Sequence, residues 1–265
     1  MKVADVIASI EDFAPLHTQE PWDHSGFLFG RREQELHRVM LALDVTEAVI
    51  AEAVERGCNL IIAHHPLLFH GLHAITGATP IERCVLLALR HNIAIYSSHT
   101  PMDKWAGGVS ARMAQCLGLV HPVILSPDAS DAQRGLGILA DLPTPQSADH
   151  FIRHIQTTFH APMLRYTHFN PQRVIKRVAL CGGSGSEFIS LAQSKGADLY
   201  LSADFKYHDF FVDESQIILV DIGHYESEQC VKDLFFEIIS KKIPTFALYY
   251  ANADKTPICY QCIYK

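Results

Sequence analysis

Asn59-Leu-Ile-Ile-Ala-His-His-Pro66 decides how the rest of the chain is read. Leu60 to Ala63 form a short, uninterrupted apolar run, which predicts a strand buried on both faces. His64 and His65 stand where that strand must end, and the C-terminal edge of an open α/β sheet is where such folds collect their chemistry. Neutral imidazole is a ligand for Zn²⁺, Mn²⁺, Fe²⁺ and Ni²⁺, so the doublet suggests a metal site. Among 16 histidines an adjacent pair also arises by chance, and the doublet therefore needs partners.

Outward from it the chain alternates between strand and helix patterns. Residues 3–14 predict an amphipathic helix with Val3, Val6, Ile7 and Ile10 on one face, stopped by Pro15. A loop holding Pro21-Trp-Asp-His-Ser-Gly26 follows. Val39 to Val45 reads as a strand, Thr46 as an N-cap and Gly57 as the close of the next helix. With the histidine strand this makes a βαβ unit with short connections, and hence parallel strands. A helix over 80–90 leads to a strand over 93–97 that runs into Ser98-His-Thr-Pro-Met-Asp103, and Gly107-Gly108 opens a helix to about Leu117. Residues 121–149 are rich in Pro, Asp, Ser and Gly and mark the break between two lobes, placed at 1–125 and 126–265. Beyond a helix near 148–159 and a weaker strand near 163–168, the βα rhythm resumes at Arg177. It gives strands over 178–181, 198–202 and 217–222, with Gly182-Gly-Ser-Gly185 as a turn and a helix after Gly223.

The two halves repeat. Arg38, Val39, Leu41, Ile50, Ala53, Gly57 and Leu60 match Arg177, Val178, Leu180, Ile189, Ala192, Gly196 and Leu199 at a constant offset of 139 residues. The next strand ends in His99-x-x-x-Asp103 in the first half and His224-x-x-x-Glu228 in the second. If the chain turns helical there, residues i and i+4 share a face and can chelate one centre. His64, His65, His99, Asp103, His224 and Glu228 are more donors than one tetrahedral zinc uses, with no thiolate among them. Mixed imidazole and carboxylate suit borderline or harder divalent ions, and Glu228 can bridge two of them, the arrangement that activates a water for hydrolysis. The competing reading is that these polar residues only cap helices and strands.

Composition narrows the class. A chain of 265 residues with 48% hydrophobic and 19% charged residues is that of a globular protein, and a net charge of −7 speaks against a general nucleic-acid binder. No uncharged apolar run reaches the roughly 18 residues of a membrane span. The N-terminal segment lacks an apolar signal region, and most of the seven cysteines sit in apolar segments, so reduced thiols in the cytoplasm are expected. Cys259-x-x-Cys262 reads as part of a final strand. Gly182-Gly-Ser-Gly185 is a phosphate cradle or a plain turn. Asp204-x-x-Tyr207-His208-Asp209 lines the site or lies on the surface. Trp22 is a functional lip or a packed side chain, and Asp44 reads as a helix cap, with hydrogen bonding to a ligand as the alternative. No Ser-His-Asp arrangement stands out.

Trp-Asp-His-Ser-Gly26, Leu-Asp-Val-Thr46, Ala-His-His-Pro66, Ser-His-Thr-Pro-Met-Asp103, Gly-Gly-Ser-Gly185, Asp-Phe-Lys-Tyr-His208 and Asp-Ile-Gly-His-Tyr-Glu-Ser-Glu228 resemble, in the same order and over nearly the whole chain, the Nif-three-like family. Its members are catalogued as type 2 homologues of GTP cyclohydrolase. The resemblance implies an α/β fold of two similar lobes with a dinuclear metal site in the cleft between them, and a toroidal homohexamer. By matching motifs the metal ligands fall on His64, His65, Asp103, His224 and Glu228, and His99 matches a position near the metals; as the catalytic candidate His99 is expected to orient a ligand or shuttle a proton. Trp-Asp-His-Ser-Gly replaces the usual Trp-Asp-Asn-Val-Gly, Ser202-Ala-Asp204 stands where Gly-Asp is common, and no inserted middle domain is present. The function expected is a hydrolase using two divalent ions (Zn, Fe, Mn or Ni) on a nucleotide-like or other small substrate. A metal-delivery or regulatory protein is the alternative, and a ring encircling nucleic acid is disfavoured by the charge.

Overall fold

A computed structural model of the protein describes residues 1–129 and 131–261. In chain order it begins with α1 (Val3–Phe13), β1 (Gly26–Phe29), β2 (Val39–Ala42), α2 (Glu47–Glu55) and β3 (Leu60–Ala63). Then come α3 (Pro80–Arg90), β4 (Ala94–Ser97), α4 (Thr100–Lys104), α5 (Val109–Cys116), β5 (Val120–Asp128) and β6 (Asp131–Ser147). The remainder is α6 (Ala148–Thr158), β7 (Arg165–Tyr166), β8 (Val174–Ser184), α7 (Ile189–Ser194), β9 (Leu199–Ala203), β10 (Ile218–Asp221), α8 (His224–Glu228), α9 (Val231–Lys242) and β11 (Leu248–Tyr250).

The chain divides into two compact units. The first, Met1–Met102 with Val231–Lys255, holds a five-stranded sheet in the order β1-β4-β3-β2-β11. Its strands β4, β3, β2 and β11 are parallel, and β1 runs antiparallel along the β4 edge. Every residue of β2, β3 and β4 is buried, as parallel strands covered on both faces require. Met40, Ile61 and Ile95 pack with Ile50 of α2 and Val85 of α3 in one core. Both helices start as the sequence dictates. Thr46 Oγ1 accepts from Val49 N at 3.2 Å, and Thr79 Oγ1 accepts from Glu82 N at 3.2 Å with Pro80 in the first turn.

The second unit, Asp103–Cys230 with the segment from Thr256, holds a six-stranded sheet in the order β5-β6-β8-β9-β10-β7. Strands β8, β9 and β10 are parallel, and the flanking β5, β6 and β7 are joined antiparallel. Leu125, Ala179, Tyr200 and Leu219 pack with Ile189 and Ala192 of α7 to form its core. The strand residues matched at offset 139 lie on parallel strand pairs in both units. Val39 pairs with Leu60 and Leu41 with Ile62, while Val178 pairs with Leu199 and Leu180 with Leu201, so both parallel pairs share one register. Gly57 and Gly196, which close the equivalent helices, have φ of +66° and +74°.

Segment 121–149, expected as a boundary, is instead largely the β5–β6 antiparallel pair, and residue 125 falls inside β5. Its prolines misled the reading. Pro122 and Pro127 lie on β5, an edge strand, and Pro143 and Pro145 lie where the β6–β8 register breaks between Asp141 and Gln146. Neither place calls for a ladder N–H. The final strand expected around Cys259 and Cys262 is absent over 258–261, and Cys262 lies outside the described residues. Among the described residues no helix is long and apolar enough to cross a membrane.

Candidate metal centre

In the first unit the strand ends converge on three imidazoles. The chain bends at His64 and His65, directly after β3, although His64 N and His65 N still donate to Ala42 O and Leu43 O. That bend cancels the alternation of a strand, and the two rings stand 5.1 Å apart at 46°. His99, immediately after β4, brings its ring to 5.2 Å from that of His64 and 5.5 Å from that of His65. One nitrogen from each of the three lies within 4.8 Å of the other two.

Each ring is fixed from behind through Nδ1. His64 Nδ1 donates to Ser98 O at 2.9 Å, His65 Nδ1 meets Asp44 Oδ1 at 2.8 Å, and His99 Nδ1 meets Asp23 Oδ1 at 2.9 Å. Such backing fixes the tautomer, so Nε2 is the nitrogen each ring offers to an ion. The supports are themselves supported. Asp23, 6% exposed, also accepts from Ser25 Oγ, Thr100 N and Thr100 Oγ1, and its carboxyl lies well below the usual range. Burial alone would raise that value, and the hydrogen bonds from His99, Thr100 and Ser25 outweigh it. Asp254, paired with Lys232 at 3.0 Å, accepts from Leu43 N at 2.7 Å and so anchors the corner that carries Asp44. Trp22 and Phe69 meet the His99 ring edge-on at 5.7 and 5.4 Å.

In the second unit a glycine turn hands β10 to α8. Gly223 has φ of +91°, and Asp221 Oδ1 accepts its N–H at 3.0 Å. The helix that follows puts His224 and Glu228 on one face as i and i+4, with Nε2 to Oε2 at 2.9 Å. His224 Nδ1 meets Asp204 Oδ2 at 2.6 Å. Burial pulls the His224 pKa down, but the hydrogen bonds and charges of Asp204 and Glu228 prevail and raise it to about 11. Glu228 and Asp103 bring oxygens within 4.8 Å of one another. Cys181 is held as a thiol by burial, with Asp103, Glu187 and Glu228 adding to the upward shift.

The imidazoles and carboxylates picked from the sequence are thus drawn together within each unit: His64, His65 and His99 in the first, Asp103, His224 and Glu228 in the second. What the sequence left unassigned is the layer behind them. Asp44 is not the cap of α2, since Thr46 fills that place, and it holds His65 instead. Trp22 is 59% exposed, and its neighbour Asp23 is the buried residue that matters to His99. Asp204 backs His224, while Tyr207 and His208, in the same motif, lie on an exposed 3-10 turn. No local signal marked them: Asp44 and Asp204 follow strands as helix caps do, and Asp23 precedes β1.

The family model described as Duf34/NIF3 (NGG1p interacting factor 3) matches residues 1–257. The chain belongs to this family. A relative from Clostridium perfringens named GTP cyclohydrolase 1 type 2 homolog is 36% identical over 230 residues, covering 86% of this chain and 87% of its own. NIF3-like protein 1 of Drosophila melanogaster is 30% identical over 265 residues, covering 97% and 88%. The crystal structure of Staphylococcus aureus protein SA1388 superposes with a TM-score of 0.90 at 26% identity, covering 98% of this chain and 99% of that one. The mixed α/β architecture of two βαβ-based sheets is therefore the fold of the family.

Proposed function

We propose that this Duf34/NIF3 protein is a divalent-metal-dependent hydrolase acting on a nucleotide-like or other small substrate. In this reading His64, His65, Asp103, His224 and Glu228 would hold two ions, with Glu228 as the ligand common to both. The observation that carries the proposal is the oriented donor set: imidazoles and carboxylates without a thiolate, each imidazole backed on Nδ1 by an oxygen acceptor. Such donors suit zinc, iron, manganese or nickel, with availability deciding among them. Bound there, the ions would supply Lewis acidity and an activated water.

The chain's own residues would do the rest. His99, with Asp23 behind it, is placed to take a proton and return it, because the carboxylate stabilises the imidazolium that forms. Trp22 and Phe69 against its ring limit the water that reaches it. The names carried by relatives support a nucleotide-like substrate, and the burial of Cys58, Cys84 and Cys181 in apolar segments supports a reducing, cytoplasmic setting. A homohexameric ring belongs to the same proposal and is tested by the mass of the native particle.

Metal-replete protein is expected to hydrolyse at least one member of a panel of nucleotides, phosphoesters and cyclic amides, and Glu228→Gln to lose that turnover. Fully loaded protein that turns over nothing and passes its metal to an apo-enzyme would establish delivery in its place.

A further inference from the structure

Gly182-Gly-Ser-Gly185 is neither a phosphate cradle nor a plain turn: Gly182 to Ser184 are the last residues of β8. Gly182 N donates to Ser110 Oγ at 3.2 Å and Gly183 N to Ser227 Oγ at 2.9 Å, so these two amides are spent inside the protein. Gly183 O in turn accepts from Ser202 Oγ at 3.0 Å. This end of β8 lies directly on the carboxyl group of Glu228. A Cβ on Gly183 would run into Glu228 Oε1 and come within 3.0 Å of its Cδ and 3.3 Å of His224 Cε1. Gly182 faces the Cγ of the same side chain, with 3.6 Å left for a Cβ. Ser227, fully buried, fastens helix to strand by donating to His224 O at 2.8 Å while accepting from Gly183 N.

We propose that Gly183 is a positioning residue: the bare backbone of this strand end, clipped by Ser227, forms the wall that sets the rotamer in which Glu228 presents its carboxylate as a metal ligand. This rests on the reading of Glu228 as a ligand. The physical argument is one of compliance. The atom a Cβ would strike is the end of a side chain, which yields more readily than backbone, so the fold survives the substitution and the carboxylate moves. Gly183 also has φ of +63°, where any L-residue is strained.

Gly196 supplies the control, because it has φ of +74° with nothing within 4 Å of its would-be Cβ. Gly183→Ala and Gly196→Ala therefore share the backbone strain and differ in contact with Glu228. The experiment loads wild type, Gly183→Ala, Gly196→Ala, Ser227→Ala and Glu228→Ala with zinc or manganese and measures metal retained against a graded chelator, with circular dichroism for fold. Gly183→Ala is expected to retain metal roughly tenfold less firmly, as loss of a ligand's support does, with Gly196→Ala unchanged. Glu228→Asp, one methylene shorter, should restore part of the loss in the Gly183→Ala background. Equal retention by Gly183→Ala and Gly196→Ala, beside loss in Glu228→Ala, would overturn the positioning role alone. Full retention by Glu228→Ala would overturn the ligand assignment and the proposal with it. If Gly183→Ala does not fold, Ser227→Ala decides: weakened retention upholds the wall, and wild-type retention refutes it.

Discussion

Asp23 Oδ1 and His99 Nδ1 meet at 2.9 Å across 76 residues of sequence. The same relation recurs between Asp44 and His65 and between Asp204 and His224, while a backbone carbonyl serves His64. Four imidazoles held through the same ring nitrogen have their planes and Nε2 directions set before a ligand arrives.

Asp23 should be the costliest of these supports to remove. Asp23→Ala leaves His99, Thr100 and Ser25 without their common acceptor in a buried place, which costs about 2–3 kcal/mol. Urea denaturation should show that loss, and Asp23→Asn, which keeps an acceptor oxygen, a smaller one. Equal stability of Asp23→Ala and wild type would remove Asp23 from this role.

Asp44 and Thr46 separate orientation from capping. Thr46→Ala is expected to lose about 1 kcal/mol of stability with metal affinity unchanged. Asp44→Ala should weaken metal affinity by roughly tenfold or more, because His65 loses its acceptor. Calorimetric titration of both variants checks the contrast, and a Thr46→Ala protein with the larger affinity loss would reverse the assignment.

Glu82 gives a pH test away from the metal residues. Hydrogen bonds from the side chain and backbone of Thr76, aided by Ala78 N and Thr79 Oγ1 and opposed by some burial, lower its pKa to about 2. A carboxylate with a depressed folded pKa stabilises above its unfolded value, about 4.3, and loses that contribution as pH falls through the folded one. The Tm gap between wild type and Glu82→Gln should thus be widest above about pH 5 and close towards pH 2. A gap independent of pH would contradict it.

His224 predicts proton release on metal uptake. With burial outweighed by Asp204 and Glu228, its pKa of about 11 keeps it protonated at neutral pH, and a ligand imidazole must be neutral. Titration in buffers of differing ionisation enthalpy should register about one proton released at this site between pH 6 and 8, and less in His224→Ala. In chelator-stripped protein the raised pKa works the other way. Its stabilising contribution is complete below the unfolded value, about 6.5, and is lost as pH rises through about 11.

The strands that the sequence hid are the sheet edges. Central strands β2, β3, β4, β9 and β10 are buried, mostly apolar runs and were legible as such, whereas the edge strands β1 and β5 lie in stretches that read as loop and lobe boundary. An edge strand is paired on one side only, so it tolerates proline and exposed residues, and its pattern fades. Val123 of β5, 57% exposed, shows the effect. The donors were legible because they close apolar strands at repeated spacings. Their supports were not, since Asp23 reaches His99 and Asp204 reaches His224 only through the fold, and nothing local distinguishes such an aspartate from a cap.

Anomalous scattering from crystals of the metal-replete protein, recorded on both sides of the absorption edge of the bound metal, tests the central claim most directly. Two peaks per chain are expected, at about 2.0–2.3 Å from donor atoms of His64, His65, Asp103, His224 and Glu228, with Glu228 reaching both. Peaks elsewhere, such as beside Cys259, or metal-replete crystals with none at these five residues, would contradict it.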